Sequence, residues 1–301
     1  MVQITGWFLK GINFDDAPAS LDELETMSHR VTLSRDDLLK ATKWEPLLQG
    51  RRQETAPGWV ELQTLATFRR GIATGANGFF LLSKERLALL NISPERCFPC
   101  VGRANDVAGL IYRPEDFASA AAKGDKLYLL NLSDPLTEAE KLYVQEGEEQ
   151  SLTKRFLLAN RRPWYSMEQR PVAPIWGAVF GRGDLKFVFN EAGVRSLTNF
   201  HCLYPASGDT VLHKALTLCL NATSVREASK LHGRVYGGGL NKFEPNDLKS
   251  IQVPDLRAVE PPLLAEMADL LVALDANPAD NSIRQRADDL CDQAGRSAAS
   301  S

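Results

Sequence analysis

From Trp59 onward the apolar residues arrive in bursts of strand or short-helix length, cut repeatedly by glycine and proline. Such punctuation dictates strands and short helices packed over one another. No apolar run approaches the roughly 20 residues needed to span a bilayer, and there is no internal repeat. With 301 residues, 44% of them hydrophobic, the chain can bury a substantial core in one large or two modest domains. The expected class is α+β: a mixed twisted sheet with hairpins and short covering helices, followed by a helical C-terminal tail. The opening MVQITGWFLKG lacks the basic-then-apolar pattern of a signal peptide, so a cytoplasmic location is expected. Five cysteines are an odd number for a disulfide framework, and free thiols are expected.

Before Trp59, residues 2–9 read as an extended piece and residues 21–27 and 34–40 as helical stretches, with too little apolar surface to stand alone. Beyond it, Ser83 can cap a helix through Leu90, and Pro114 suits the first position of a helix that stops at Gly124. Residues 127–132 form an apolar strand, and Thr137-Glu138-Ala139-Glu140 spells a capping box that opens an acidic helix. SLTKRFLLANRRPWY predicts a helix ended by Pro163. Val179-Phe180 and Phe187-Val188-Phe189 flank Gly181-Arg182-Gly183-Asp184, which predicts two strands joined by a tight turn with Arg182 at its tip. Residues 210–221 carry Leu212, Ala215, Leu216, Cys219 and Leu220 at helical spacing, hence a buried helix, and a second follows over 225–231. Gly237, Gly238 and Gly239 exclude regular structure and let a backbone come close to a ligand. Residues 262–274 and 283–294 predict two amphipathic tail helices.

The net charge of -3 hides an uneven distribution. Residues 151–250 hold 14 basic and 7 acidic side chains, a balance of +7, whereas 101–150 (5 and 10) and 251–301 (4 and 9) each balance at -5. One face shaped for a polyanion fits this asymmetry; an ordinary solvated surface fits it equally well.

Chemistry is harder to place. No GxxxxGK loop, helix-opening GxGxxG, GxSxG elbow or HExxH is present. Cys97-Phe98-Pro99-Cys100 has metal-pair spacing but no second pair and no nearby histidine, so both cysteines read as structural. The four histidines are scattered. Loop glycines at 71, 75 and 78 can bring backbone amides and the side chains of Thr74 and Asn77 against a phosphate or base edge, and a structural turn explains the same residues; Arg70 beside them is a further DNA-contact candidate. Arg161, Arg162, Trp164 and Tyr165 combine cationic and flat side chains as nucleic-acid surfaces do, and the two aromatics also suit a core. Arg182, Arg234 and Lys242 are candidates for phosphate or guanine.

Four segments resemble one family in register. Arg69-Arg70-Gly71-Ile72-Ala73-Thr74-Gly75-Ala76-Asn77-Gly78-Phe79-Phe80 is similar to the signature that opens the specificity domain of adenine-N6 DNA methyltransferases. Arg162-Pro163-Trp164-Tyr165, Leu197-Thr198-Asn199-Phe200 with His201-Cys202-Leu203-Tyr204, and Tyr236-Gly237-Gly238-Gly239-Leu240-Asn241-Lys242-Phe243-Glu244-Pro245 follow in order. Specificity subunits of type I restriction systems are more distant relatives. The resemblance covers roughly residues 60–255 and adds Asn199 and Tyr236 to the DNA-contact candidates.

The resemblance implies a target-recognition domain over 56–255, a tail over 256–301 and, in residues 1–55 with Trp44-Glu45-Pro46-Leu47-Leu48, a connector like the end of a catalytic domain. It implies double-stranded DNA and a catalytic methyltransferase polypeptide as partners. S-adenosylmethionine belongs to that partner, because this sequence lacks both the glycine-rich cofactor turn and the Asn/Asp/Ser-Pro-Pro-aromatic loop. Phe180-Gly181-Arg182-Gly183 and Glu260-Pro261-Pro262-Leu263 resemble them only by chance. No catalytic or metal-binding residue is expected. A truncated remnant, or a protein-interaction module without DNA-methylating activity, is the alternative.

Overall fold

A computed structural model describes residues 3–8, 20, 22–23, 29–40, 55–181, 185–229, 234–236, 240–242 and 245–300. They divide into two compact units, Met1–Ala56 and Pro57–Ser301. In the first, β1 (Gln3–Phe8) pairs antiparallel with β2 (His29–Ser34), and the helix Arg35–Lys40 follows directly. Strand β2 was not expected: its six residues are too few for a period to declare itself beside the polar stretch before it. Of the helical stretch expected over 21–27 only Asp22 and Glu23 are described, and Trp44-Glu45-Pro46-Leu47-Leu48 lies outside the described residues.

The second unit is built on a five-stranded sheet in the order β4 (Ala66–Arg70), β13 (Phe200–Pro205), β9 (Ile175–Ala178), β11 (Phe187–Asn190) and β7 (Ile111–Tyr112). Only the β11–β7 pairing is parallel. Side chains along a strand point alternately to opposite faces, and here both faces are covered. Ile175, Phe187, Phe189 and Leu203 enter one core with the helix Thr210–Asn221. Trp176, Val188, Cys202 and Tyr112 enter another on the far side.

A third core forms around Phe79, Phe80, Leu129, Leu130 and Leu158. It lies against the sheet β12 (Arg195–Ser196), β6 (Cys97–Val101), β8 (Tyr128–Leu130) and β5 (Leu81–Leu82). Two small sheets complete the unit: β10 (Phe180–Gly181), β15 (Leu240–Lys242) and β14 (Arg234–Tyr236), and the pair β16 (Gln252–Pro254) with β3 (Trp59–Glu61).

The tail helices Pro261–Ala276 and Asn281–Ala299 fold back onto the first core through Met267, Leu271, Leu274, Leu290, Cys291 and Ala294. Asp280 caps the second by accepting from the amides of Ser282 (2.8 Å) and Ile283 (3.3 Å). At the end of the first, Asp275 accepts from the amides of Leu110 (2.5 Å) and Ile111 (3.1 Å) and pairs with Arg113 Nη1 at 2.6 Å, fastening the tail to edge strand β7. No helix among the described residues is long and apolar enough to cross a membrane.

The α+β class holds, with the strands divided among several small sheets. Ser83 accepts from Arg86 N, opening Lys84–Leu89, and Thr137 and Glu140 exchange both capping-box bonds at the start of Glu138–Glu149. The long helix expected from SLTKRFLLANRRPWY is instead a short turn, Leu152–Lys154, and a four-residue helix, Phe156–Ala159. Arg155 between them is extended, and its side chain is bonded outside the segment, so local propensity yields to a tertiary contact. The expected pairing of Val179-Phe180 with Phe187-Val188-Phe189 is corrected: β9 pairs with β11 instead, the Val179 amide donates to the Asn199 carbonyl, and Phe180 pairs with β15.

All five cysteines are free and buried. Burial pushes the Cys97 thiol up to about 12. Cys97 and Cys100 therefore serve as small core residues.

Candidate nucleic-acid interface

The glycine-punctuated loop after β4 is held from within. Thr74, only 1% exposed, turns its hydroxyl to Asn77 Oδ1 and accepts from the amide of Ala76 at 3.0 Å. A threonine so buried and bonded cannot also meet a base or phosphate, so the expected contact is withdrawn and Thr74 shapes the loop. Gly75 sits at φ +79°, and a Cβ there would lie 3.2 Å from Leu158. Only glycine takes this turn without strain.

The basic segment 151–166 closes over this loop. Arg161 donates to the carbonyls of Ala73 (2.5 Å), Thr74 (3.2 Å) and Ser166 (3.1 Å), and Arg155 donates to the carbonyl of Gly75 at 3.0 Å. Burial pulls the Arg161 guanidinium below its ordinary value, but arginine keeps its charge. Arg162 is exposed, and its Nη1 caps the carbonyls of Ala159 and Arg161 at 2.8 and 2.7 Å. Neighbouring arginines thus divide the work: Arg161 braces the loop while Arg162 adds charge at the surface.

Tyr165 belongs to the core, and half-buried Trp164 packs against it. Trp164 packs at 5.5 Å from the Phe79 ring and donates from Nε1 to Glu148 at 3.1 Å; Tyr165 is buried, with its hydroxyl 3.3 Å from Asp134. Stacking on bases, one of the two roles their sequence left open, is closed to Tyr165 by burial. Arg70, its side chain 42% exposed, is paired with Glu168 at 2.7 Å, and Glu168 also binds Arg170 at 2.9 Å. Burial opposes the Glu168 charge, but its two arginine bonds prevail and hold its pKa below the usual value.

Asn77 is exposed on the wall of a cleft of about 470 Å³ lined also by Gly102, by Arg103, which is paired with Asp106, and by Asp125 and Lys126. Asn199 links this cleft to the rest: its Nδ2 donates to the Gly102 carbonyl at 2.5 Å, and its own carbonyl accepts from the amide of Val179. Val179 leads directly into β10. There the register pairs Phe180 with Lys242 and Gly181 with Asn241, and Arg234 with Lys242 on the next strand. Gly181 and Leu240 therefore meet the same end of this small sheet. Arg234 and Lys242 are cross-strand partners in the backbone register, and Tyr236 pairs with Leu240. Arg182 and Gly237, Gly238 and Gly239 lie outside the described residues.

The sequence thus named two groups, one around the loop and segment 151–166 and one on the ribbon β10–β15–β14. It missed Phe156, which is 85% exposed, and the bracing role of Arg155. An apolar residue in a four-residue helix carries no period that tells inside from outside.

Two further segments bear on chemistry. Phe180-Gly181 enters a strand, not a strand-to-helix turn, and Glu260-Pro261-Pro262 opens the first tail helix with Glu260 at its N-cap.

The chain is 34% identical over 230 residues to the Type II methyltransferase M.AccI of Acinetobacter calcoaceticus, covering 75% of this chain and 42% of that protein. It is 27% identical over 249 residues to the Type II methyltransferase M.XamI of Xanthomonas campestris pv. amaranthicola, covering 78% and 44%. The chain spans less than half the length of these curated relatives. Among solved structures, the type IIG restriction endonuclease BpuSI aligns over 90% of this chain and 36% of its own, with TM-score 0.48 and 12% identity. Residues 47–287, which contain both residue groups and most of the tail, match the family described as Type II methyltransferase M.Eco57I, C-terminal domain, and the chain belongs to that family.

Proposed function

We propose that this chain supplies DNA target recognition to an adenine-N6 DNA methyltransferase of the restriction-modification type. In this reading a catalytic methyltransferase polypeptide holds S-adenosylmethionine and the target adenine, and this chain closes on the same duplex and reads neighbouring base pairs. The reading rests on one observation above all: Arg155 and Arg161 bind the glycine-rich loop directly to the basic segment, so that loop and cations form one surface. The family membership supports it, since the relatives are named as methyltransferases.

Exposure at Asn77 and Arg162 assigns these two to the duplex, with Arg70 after release from Glu168; Arg182, Arg234, Tyr236 and Lys242 are assigned to it from the sequence. Thr74, Trp164, Tyr165 and Asn199 hold these residues in place. Arginine and lysine contacts to phosphate set affinity and its salt dependence, whereas each bidentate base contact adds about 1–3 kcal/mol of discrimination. The strand at Phe180-Gly181 and the helix cap at Glu260 fit neither a cofactor turn nor an amine-accepting loop, which supports assigning the chemistry to the partner.

The test is methylation of plasmid DNA with labelled S-adenosylmethionine by this chain, with and without a catalytic methyltransferase polypeptide. Incorporation only when both are present is the expected result. Incorporation by this chain alone overturns the division of labour, and none in either case leaves a remnant.

A further inference from the structure

Phe156 is the most exposed large apolar residue among those described, at 85%. It stands in a segment whose charge is all of one sign: Lys154, Arg155, Arg161 and Arg162 lie between residues 150 and 167, with no acidic side chain among them. The position is braced. The Arg155 guanidinium is bonded to the Gly75 carbonyl at 3.0 Å, Leu158 beneath is fully buried, and Asn160 Nδ2 donates to the Phe156 carbonyl at 2.7 Å. An aromatic ring held out in solvent costs apolar exposure, and the cationic side chains of its segment attract a polyanion.

We infer that Phe156 is a wedge that inserts at a base step of duplex DNA while Lys154 and Arg162 engage the flanking phosphates. Apolar side chains inserted between base pairs unstack and kink the duplex, and the unstacking is offset by the wider contact that the bend permits. This inference rests on the DNA-recognition reading and adds that the chain deforms its substrate.

The experiment relaxes closed circular plasmid with a topoisomerase while the full chain is bound, reads the linking number after protein removal, and measures affinity in parallel. Wild type is expected to lower the linking number. Phe156→Ala is expected to lose that change and about fivefold or more in affinity, with an unaltered melting temperature because the ring is exposed; Phe156→Trp is expected to retain both. If Phe156→Ala binds and unwinds like wild type, the wedge is overturned and the recognition reading stands. If Phe156→Ala keeps both properties but loses methylation with the catalytic polypeptide, the ring is a subunit contact and the wedge is overturned again. If wild type binds no DNA at any salt concentration, both readings fall.

Discussion

The loop region around Gly75 and the ribbon β10–β15–β14 both entered as groups of basic and flat residues, and they are built by opposite means. In the loop region most polar groups are already used: Thr74 on Asn77, Arg155 and Arg161 on carbonyls about eighty residues away in sequence, Arg70 on Glu168. In the ribbon, placement comes from backbone register, which sets Arg234 opposite Lys242 and Gly181 opposite Asn241. A basic residue can therefore act as an internal brace or, under the proposed function, as a contact. Composition does not distinguish them, but their response to mutation does.

If that distinction holds, damage to the loop region appears first in unfolding. Arg161→Ala strips the carbonyls of Ala73, Thr74 and Ser166 of their donor, and a loss of about 2–4 kcal/mol in urea unfolding is expected. The adjacent Arg162→Ala is expected to stay within about 0.5 kcal/mol of wild type while weakening DNA binding. Equal destabilisation by the two would erase the contrast between brace and contact.

The scaffold beneath the loop should respond to acid. Glu140, buried and bonded to Arg96 at 2.6 Å and to the Thr137 amide at 2.9 Å, is pushed upward by burial, but those bonds prevail and its pKa lies below the ordinary 4.5. A depressed carboxylate contributes stability that is complete above 4.5 and is lost as pH falls through its folded value. Glu140→Gln is expected to cost about 1–3 kcal/mol at neutral pH and to flatten the acid limb of the stability profile. An acid limb as steep as that of wild type would assign the acid sensitivity elsewhere. Gly75→Ala follows at about 1–2 kcal/mol, from its positive φ and the nearness of Leu158.

The ribbon should show the smallest stability effects and the clearest DNA effects. Lys242→Ala is expected to weaken binding to all sequences alike and to reduce the slope of log affinity against log salt by about 1; Arg182→Ala is expected to relax one position of the recognised site. Indistinguishable behaviour of the two would remove the proposed separation of phosphate and base contacts.

Much of the scaffold was legible because its signals are local. The Ser83 cap, the Thr137-Glu140 box and the helix Thr210–Asn221 each depend on residues within a few positions of one another. What was not legible is long-range. Arg161 meets Thr74 across 87 positions, and this contact, with that of Arg155, breaks the helix that SLTKRFLLANRRPWY favours. Trp164 and Tyr165 looked alike as stacking platforms and as core until Phe79 and Asp134 were seen beside them. The departure of Phe180 from the expected hairpin required knowing that residues 240–242 stand alongside.

The central sheet has no wet face along its inner strands β13, β9 and β11, where nearly every side chain is committed to one core or the other. Variation is therefore tolerated unequally. A new side chain on those strands disturbs packing, whereas one at the edges and in the loops leaves the cores intact. Under the proposed function, a lineage built on this frame changes what it reads by altering only the periphery, and the frame's own residues carry no information about which sequence is chosen.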